Sequence, residues 1–468
     1  MFDTIAAIAT GGVVSAVGII RISGSNALTV ADNVFFAANC MSLKDAENRR
    51  LYFGELRRTD VTGENVTGGR FCHILDTCLC MVSRAPSSYT GEDTVEFQCH
   101  GSPIVLSEIL QVLFALGVRQ ALPGEFTKRA FLNGKIDLTQ AEAVIDLIEA
   151  ETPAAAQNAA GQLSGAVRAK METIYSRLLD MTAHFHAVID YPDEDIEDFR
   201  VREYIVILND ITDELMKLHE SFKRGNILRG GIPTAIIGRP NTGKSSLLNA
   251  LLGYERAIVT DVAGTTRDTI EEKVVIGNVL LRLIDTAGLR KTNDTVEKLG
   301  VDRTLAVISD ASLVLLVLDG SEPLKSEDFD ILHSIPPDIP KIAVVNKSDL
   351  PAAMSIMALN ELGVSNCKVS ALSGEGLDSL DAQIKNLFPI GEQSAPYGEI
   401  ITNARQADAL FRALASITSA SRSLADNMTA DAIVTDIEST LAAIGEITGK
   451  TIREDIVGRI FERFCVGK

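Results

Sequence analysis

The chain is predicted to be multidomain, combining α/β and α+β architecture, and three observations carry that expectation. Residues 227–387 alternate strand and helix signals, as a parallel sheet covered by helices does. The flanking stretches, from about Glu125 to Arg224 and from Ile400 to the end, carry apolar residues three and four apart, the period of amphipathic helices. The first 120 residues mix strand-sized runs with turn signals. The expected layout is an α+β domain over 1–120, a discontinuous all-α helical domain over 121–226 and 388–468, and an inserted P-loop α/β domain over 227–387.

Within the first domain IAAIAT, GIIRIS, LYFGEL and TVEFQC are of strand length, and SPIVLSEILQVLFALG has helix length and period. The run from AEAVIDL through HFHAVI is helical. YPDEDIEDF interrupts it with a proline and an acid run, read as a solvated helix connection rather than a cation site. His184 and His186 sit about 200° apart around a helix axis, so one helix face cannot offer both to a metal, and ordinary packing is expected. NLFPIGEQSAPYGE then punctuates the return to helix. No internal repeat or low-complexity segment is visible.

At 468 residues the chain can build several cores. No apolar run reaches the roughly 18 residues a membrane helix needs. The opening MFDTIAAIATGGVV has neither a basic n-region nor an Arg/Ser-rich leader, so a cytoplasmic, bacterial setting without membrane is expected. A formal charge of −19 does not advertise nucleic-acid binding, which rests on phosphate contacts, so an RNA partner must meet a local basic patch or be held by another subunit. Cys72, His73, Cys78, Cys80, Cys99 and His100 cluster in sequence, but their spacings are not those of zinc sites. Cys78 and Cys80 share one face of a strand, so burial in a sheet is the expectation.

The chemistry concentrates in TAIIGRPNTGKSSLLNALLG, a strand, a loop and a helix start. Gly238 to Ser245 fits the phosphate-binding pattern G-x-x-x-x-G-K-[ST]. Its glycines let backbone N–H groups wrap phosphate oxygens and the helix N-terminus adds its dipole. Asn241, Thr242, Gly243, Lys244, Ser245 and Ser246 are the binding candidates, with Lys244 also a candidate catalytic charge and Ser245 a ligand for Mg²⁺. Asp285, Thr286, Ala287 and Gly288 follow the apolar run VLLRLI, which places the acid at a strand end near the metal. Asn346, Lys347 and Asp349 follow the strand KIAVV. The carboxylate of Asp349 can accept two hydrogen bonds from guanine, a pair of donors that adenine lacks. Ser370, Ala371 and Leu372 occupy the place where backbone amides meet the guanine keto oxygen. Four motifs in one order, each at a strand end, indicate GTP.

Ras-like proteins orient the attacking water with a Gln just after the second motif. Leu289 stands there and cannot do so. Glu297, in GLRKTNDTVEKLG, is the best-placed acid, though spacing alone also describes a solvated glutamate at a helix start. Arg290, closing IDTAGLR, is the remaining candidate catalytic residue.

GRPNTGKSS, GTTRDT (Gly264 to Thr269) and IDTAGLR together resemble a TrmE-type G domain. SYTGEDTVEFQCHG and PGEFTKRAFLNGKIDLTQAEAVIDLI resemble that family's folate domain and first helices. IVGRIFERFCVGK resembles its C-terminal FCIGK signature. The resemblance spans essentially the whole chain and is to the TrmE (MnmE) family of tRNA-modification GTPases. It implies a folate-binding, dimerising N-terminal domain, and a Ras-like G domain inserted in the helical one. It also implies K⁺ beside the nucleotide, with Asn241, Thr260, Val262 and Thr265 matching the ligand positions. Thr266 matches the second Mg²⁺ ligand and Glu297 the water-orienting acid, with Asp261, Ala263 and Gly264 in the same loop. A cation bridging the phosphates can replace an arginine finger by neutralising charge that develops in transfer.

The resemblance further implies that Arg21, Glu96, Lys135 and Lys468 match positions contacting 5-formyltetrahydrofolate or a related tetrahydrofolate. By spacing alone each reads as a surface charge or a structural ion pair. Cys465 matches the family's C-terminal cysteine, either a nucleophile or a small buried residue. Thr10 to Val17 departs from the family's Pro-Gly-Arg-rich loop, which puts the details of folate contact in question. The implied function is modification of the wobble uridine of certain tRNAs at carbon-5, adding a carboxymethylaminomethyl or aminomethyl group. The implied assembly is a homodimer that joins the FAD-dependent partner MnmG in a heterotetramer or larger complex. The rivals are a ribosome-assembly or regulatory GTPase of the Era/Der type, and a free-standing folate-dependent aminomethyltransferase.

Overall fold

The computed structural model describes residues 3–39, 42–58, 74–190, 198–254, 272–276, 279–284, 307–354, 362–389, 396–451, 454–462 and 464–467. They fall into two compact units, one made of Met1–Ile145 with Gly445–Lys468 and the other of Asp146–Ile444.

The first unit is built on a seven-stranded sheet of β1 (Ile5–Ile8), β2 (Ser15–Ser23), β3 (Phe35–Ala37), β4 (Leu51–Arg57), β5 (Ile74–Ser83), β6 (Thr94–Gly101) and β7 (Arg119–Gln120), in the order β3-β4-β5-β6-β2-β1-β7. All pairings are antiparallel except β1 with β7. The expected strands and the helix of 102–117 are present, the latter as Pro103–Ala115. Strict alternation in β4, where Tyr52, Gly54 and Leu56 are buried between more exposed neighbours, shows why this sheet covers only one face. The inner face packs Ile20, Ile22, Val82, Val95 and Phe97 under α1 (Ala27–Val34) and α2 (Pro103–Ala115). Cys78, Cys80 and Cys99 lie in this core, as expected of sheet cysteines. Burial pushes the Cys80 thiol well above its usual range. Cys72 and His73 lie outside the described residues.

Residues 121–145, assigned from sequence to the helical segment, cluster with this first unit, as do 445–468. The reason is aromatic. Phe131 of α3 (Glu125–Leu132) and Leu138 of α4 (Leu138–Ile148) share a core with Phe461 and Phe464 at the end of helix Glu454–Phe461. Arg129, 2% exposed, ties the unit together through Asp3, Glu92 and Glu125 at 2.9–3.0 Å. A buried guanidinium needs such pairing, because removing it from water alone costs several kcal/mol, on the order of the whole pair's worth.

The second unit contains α5 (Pro153–Leu163), α6 (Ala166–Asp190) and α7 (Asp198–Gly230), then a six-stranded sheet and its helices, then two further long helices. Its strands are β8 (Ile232–Ile237), β9 (Glu272–Ile276), β10 (Val279–Leu283), β11 (Leu313–Asp319), β12 (Lys341–Asn346) and β13 (Ser365–Lys368), in the order β13-β12-β11-β8-β10-β9. Only β9 with β10 is antiparallel. Every residue of β11 is buried, as a strand covered on both faces requires. The helices described with the sheet are α8 (Lys244–Tyr254), α9 (Ser326–Ser334) and α10 (Leu377–Leu387), followed by α11 (Ala404–Ala425) and α12 (Ala430–Thr448). His184 packs on Tyr204 and Phe185, while His186 lies 3.3 Å from Glu438, so the two point to different neighbours. Residues 191–197 of the acid run lie outside the described set.

The chain leaving the sheet runs as a strap over α5 and α7. Asn158 and Gln162 both donate to the Ile400 carbonyl, and Gly398 N donates back to Asn158. Gly225 of α7 is where the strap comes closest, and a Cβ there would collide with the Ile401 carbonyl. Gly225→Ala should therefore destabilise the protein by about 1–3 kcal/mol, the usual cost of overpacking. Thermal unfolding measures this, and a midpoint equal to wild type would show that the strap gives way freely.

Candidate functional site

The loop between β8 and α8 has a backbone only a few residue types can follow. Gly238 has φ +148° and lies against the Val317 carbonyl, Asn241 has φ +64°, and Gly243 has φ +91°. Thr242 Oγ1 donates to the Arg239 carbonyl at 3.0 Å. Lys244 Nζ donates to the carbonyls of Gly238 and Arg239 at 2.9 and 2.6 Å. Among the described residues no carboxylate pairs with this ammonium, and burial pulls its pKa below the ordinary value. A half-buried cation held by carbonyls alone among the described residues, at the N-terminus of a helix, favours an anion there. The residues present therefore fit a nucleotide phosphate. Ser245 and Ser246 follow in the first turn of α8, where Ser245 could hold Mg²⁺ by its hydroxyl. A magnesium nucleotide would bring the phosphoryl group to be transferred, and Lys244 would meet its negative charge.

The other end of the site is organised by Asn346, the last residue of β12 and 2% exposed. Its Nδ2 donates to the Thr242 carbonyl at 2.9 Å, and its Oδ1 accepts from Ala371 N at 3.0 Å. The phosphate loop and the 370–372 segment are thus joined through one side chain. The amide of Ala371, expected to face the base, serves Asn346 here. Lys347, at φ +66°, pairs with Asp319 at the end of β11. Burial opposes ionisation of Asp319, but hydrogen bonds from Lys347 and Ser321 hold its carboxyl below the ordinary value. Asp349 accepts from Ser370 Oγ at 2.6 Å, which fixes an exposed carboxylate at the mouth of the site. Leu372 is 88% exposed.

Thr260, Asp261, Val262, Ala263, Gly264, Thr265, Thr266, Asp285, Thr286, Ala287, Gly288, Arg290, Glu297 and Lys468 lie outside the described residues. Sequence reasoning passed over Asp319, which only the parallel pairing of β11 with β12 carries to Lys347. It also gave no role to Arg239, whose side chain is buried against Asp328.

In the first unit the structure brings together Arg21 and Glu96. Facing each other on β2 and β6, they form a 2.6 Å ion pair, partly open to solvent. The Arg21 guanidinium lies 5.4 Å from the Tyr89 ring centroid and 5.6 Å from that of Phe126, a double cation–π arrangement. Its Nη1 reaches the Gly467 carbonyl at 3.5 Å, so the chain's C-terminal segment comes to the same place. Tyr89 and Phe126 were not singled out from sequence, although both stand inside quoted motifs. Lys135 is exposed beside Gly91, in the turn that follows Tyr89. A carboxylate and a guanidinium side by side fit a ligand with an amide edge and an acidic tail. Cys465 is exposed, with its carbonyl accepting from Gly124 N.

Asn346→Ala removes both bridges and leaves a buried carbonyl and N–H unmatched. It should weaken GDP affinity by about 10- to 100-fold, the value of roughly 1.4–3 kcal/mol. Equilibrium titration with fluorescent GDP reads this, and an unchanged affinity would show that the bridge is dispensable.

Comparison with known proteins points in one direction. The "GTP-binding protein TrmE N-terminus" family matches residues 4–135, and the "MnmE helical domain" family matches residues 138–465. The tRNA modification GTPase MnmE of Thermoanaerobacter pseudethanolicus is 42% identical over 471 residues, covering all of both chains. Its counterpart in Clostridioides difficile is 40% identical over 468 residues, covering all of this chain and 99% of the relative. Among solved structures, the G domain of the T. maritima FeoB iron transporter matches 33% of this chain and 96% of its own at 28% identity, with a TM-score of 0.24. With full-length relatives at this level and family matches on both sides of the phosphate loop, the chain belongs to the MnmE (TrmE) family of tRNA modification GTPases.

Proposed function

We propose that the chain is a K⁺-activated GTPase acting with an FAD-dependent MnmG-type partner. Together they would add a carboxymethylaminomethyl or aminomethyl group to carbon-5 of the wobble uridine of certain tRNAs, using a folate one-carbon unit. The observation that carries the reading is full-length 42% identity to a tRNA modification GTPase, in a chain that also keeps the phosphate loop and Asn346 in register. In this reading Thr266 and Ser245 ligate Mg²⁺. Asn241, Thr260, Val262 and Thr265 ligate K⁺, and Glu297 orients the attacking water. Hydrolysis drives closure of the 227–387 domain.

The Arg21–Glu96 pair, with Lys135 and Lys468, is the proposed tetrahydrofolate site, and its support is the pair's partial exposure beside two aromatic rings. A homodimer through the first unit is supported by the open face of its sheet. There Leu51 and Phe53 of β4 and Leu79 of the adjacent β5 are 36–60% exposed, an apolar patch of the kind that marks an interface. The acidic charge of −19 fits a division of labour in which the partner holds most of the tRNA. A cytoplasmic setting goes with this chemistry. No helix among the described residues is long and apolar enough to cross a membrane.

Mass-spectrometric nucleoside analysis of tRNA from cells with and without the gene tests the function. The modified uridines should vanish on deletion and return on complementation, and unchanged nucleosides in cells with a single gene copy would favour a ribosome-assembly GTPase. Glu297→Ala should keep GTP affinity and lose most turnover. Turnover in KCl should exceed that in NaCl at equal ionic strength. Wild-type turnover in the variant, or equal rates in the two salts, would remove the water-orienting or K⁺ role. Arg21→Ala should weaken binding of 5-formyltetrahydrofolate by at least about tenfold, given the roughly 1.5–3 kcal/mol of a charged hydrogen bond. Direct calorimetry decides this, and equal affinity would move the folate site elsewhere.

A further inference from the structure

Arg239 follows the first glycine of the phosphate loop, and its backbone and side chain do different things. Its carbonyl receives both Thr242 Oγ1 and Lys244 Nζ, so the position of this one peptide sets two of the loop's own contacts. Its side chain is 7% exposed and donates through Nε to Oδ1 of the fully buried Asp328 at 2.7 Å, with Glu322 3.7 Å from Nη2. The other oxygen of Asp328 accepts from Lys325 N at 3.0 Å, so the same carboxylate starts α9. At the far end of this segment Asp319 is built in the same way. One oxygen takes Lys347 and the other takes Ser321 N and Oγ, while Gly320 N donates to the Asn346 carbonyl at 2.8 Å. The segment from Asp319 to Asp328 is therefore a strap, pinned by a carboxylate at each end. One end grips the guanine-recognition turn and the other grips the phosphate loop.

We propose that Asp328 is a positioning residue for nucleotide retention, acting through Arg239 so that the Asp319–Asp328 strap keeps the phosphate loop in register with the guanine-recognition turn. The proposal rests on the nucleotide reading of this site and adds a residue outside its motifs. Asp328 acts at a distance, since its hydrogen bond to the loop is made to the Arg239 side chain. Loss of the carboxylate frees the Arg239 peptide, and with it the acceptor for Lys244 and Thr242. GDP and GTP share the loop, so release of either should quicken.

The test is dissociation of fluorescent GDP from the full chain, chased with excess GTP, beside the KM and kcat for GTP and the thermal midpoint. Asp328→Asn keeps the shape and removes the charge. It should raise the GDP dissociation rate by about tenfold or more, and raise the KM for GTP by a larger factor than it changes kcat. A merely structural role would lower the midpoint and leave dissociation, measured well below it, as in wild type. The double variant Arg239→Met with Asp328→Leu separates the two further. Replacing a buried ion pair by apolar groups commonly restores stability, yet dissociation should stay fast. A wild-type dissociation rate in either folded variant overturns the proposal. If neither variant folds, the pair is a fold determinant alone and the proposal is likewise overturned. A wild-type chain that cannot retain fluorescent GDP overturns the nucleotide reading itself, whereas retention by wild type with unchanged release in the variants overturns only the brace.

Discussion

Asn346 spends both halves of its carboxamide inside the protein, on the Thr242 carbonyl and the Ala371 amide. Much else at the nucleotide site is arranged around that bond pair. A buried amide with one partner missing costs roughly 1–3 kcal/mol, so the loop at 238–244 and the turn at 370–372 cannot drift apart cheaply. The carboxamide comes so close to Gly243 that a Cβ there would strike it. Glycine at this position therefore meets two demands at once, a positive φ and a close approach. Asn346 itself is held by the parallel ladder of β11 and β12, where Asp319 and Asn346 are register partners.

The N-terminal unit solves a different problem. Its sheet covers one face only, and its parts come from both ends of the chain. Arg129 reaches Asp3, and Arg21 reaches Gly467, partners that lie 126 and 446 residues apart in sequence. Gly467 passes so close to the Ile8 carbonyl that any side chain there would collide with it. The C-terminal segment is thereby set against β1 and next to the Arg21–Glu96 pair. Aromatic packing of Phe461 and Phe464 with Phe131 holds it there. Two Asp3 contacts, to Arg119 and Arg129, outweigh the burial that opposes them and hold its carboxyl near pKa 2. This part of the network is charged throughout the neutral range.

Much of this was legible in the sequence, for local reasons. Strand-sized apolar runs between turn signals located β1, β2, β4 and β6, and helix length with its 3.6-residue period located α2. The phosphate loop was legible because its glycines and lysine are short-range requirements of backbone geometry and charge. Cys78 and Cys80 could be placed in a core from their shared strand face. By themselves these local signals identify a guanine-nucleotide domain between helical segments.

What only the tertiary structure decided is which distant residues meet. Sequence assigned 121–145 to the helical part, but the ring contacts of Phe131 with Phe461 draw that stretch to the N-terminal unit, and helical period is silent about which partner a helix will choose. Arg21 reads in isolation as a surface charge. It becomes half of a partly buried ion pair flanked by two rings because the β2–β6 register sets Glu96 opposite it, and because folding brings Tyr89 and Phe126 alongside. Arg239 and Asp328 are two unremarked charges 89 positions apart until folding buries them against each other. Local chemistry is written in consecutive residues, whereas pairing energy depends on distance and desolvation, and these exist only once the chain has folded.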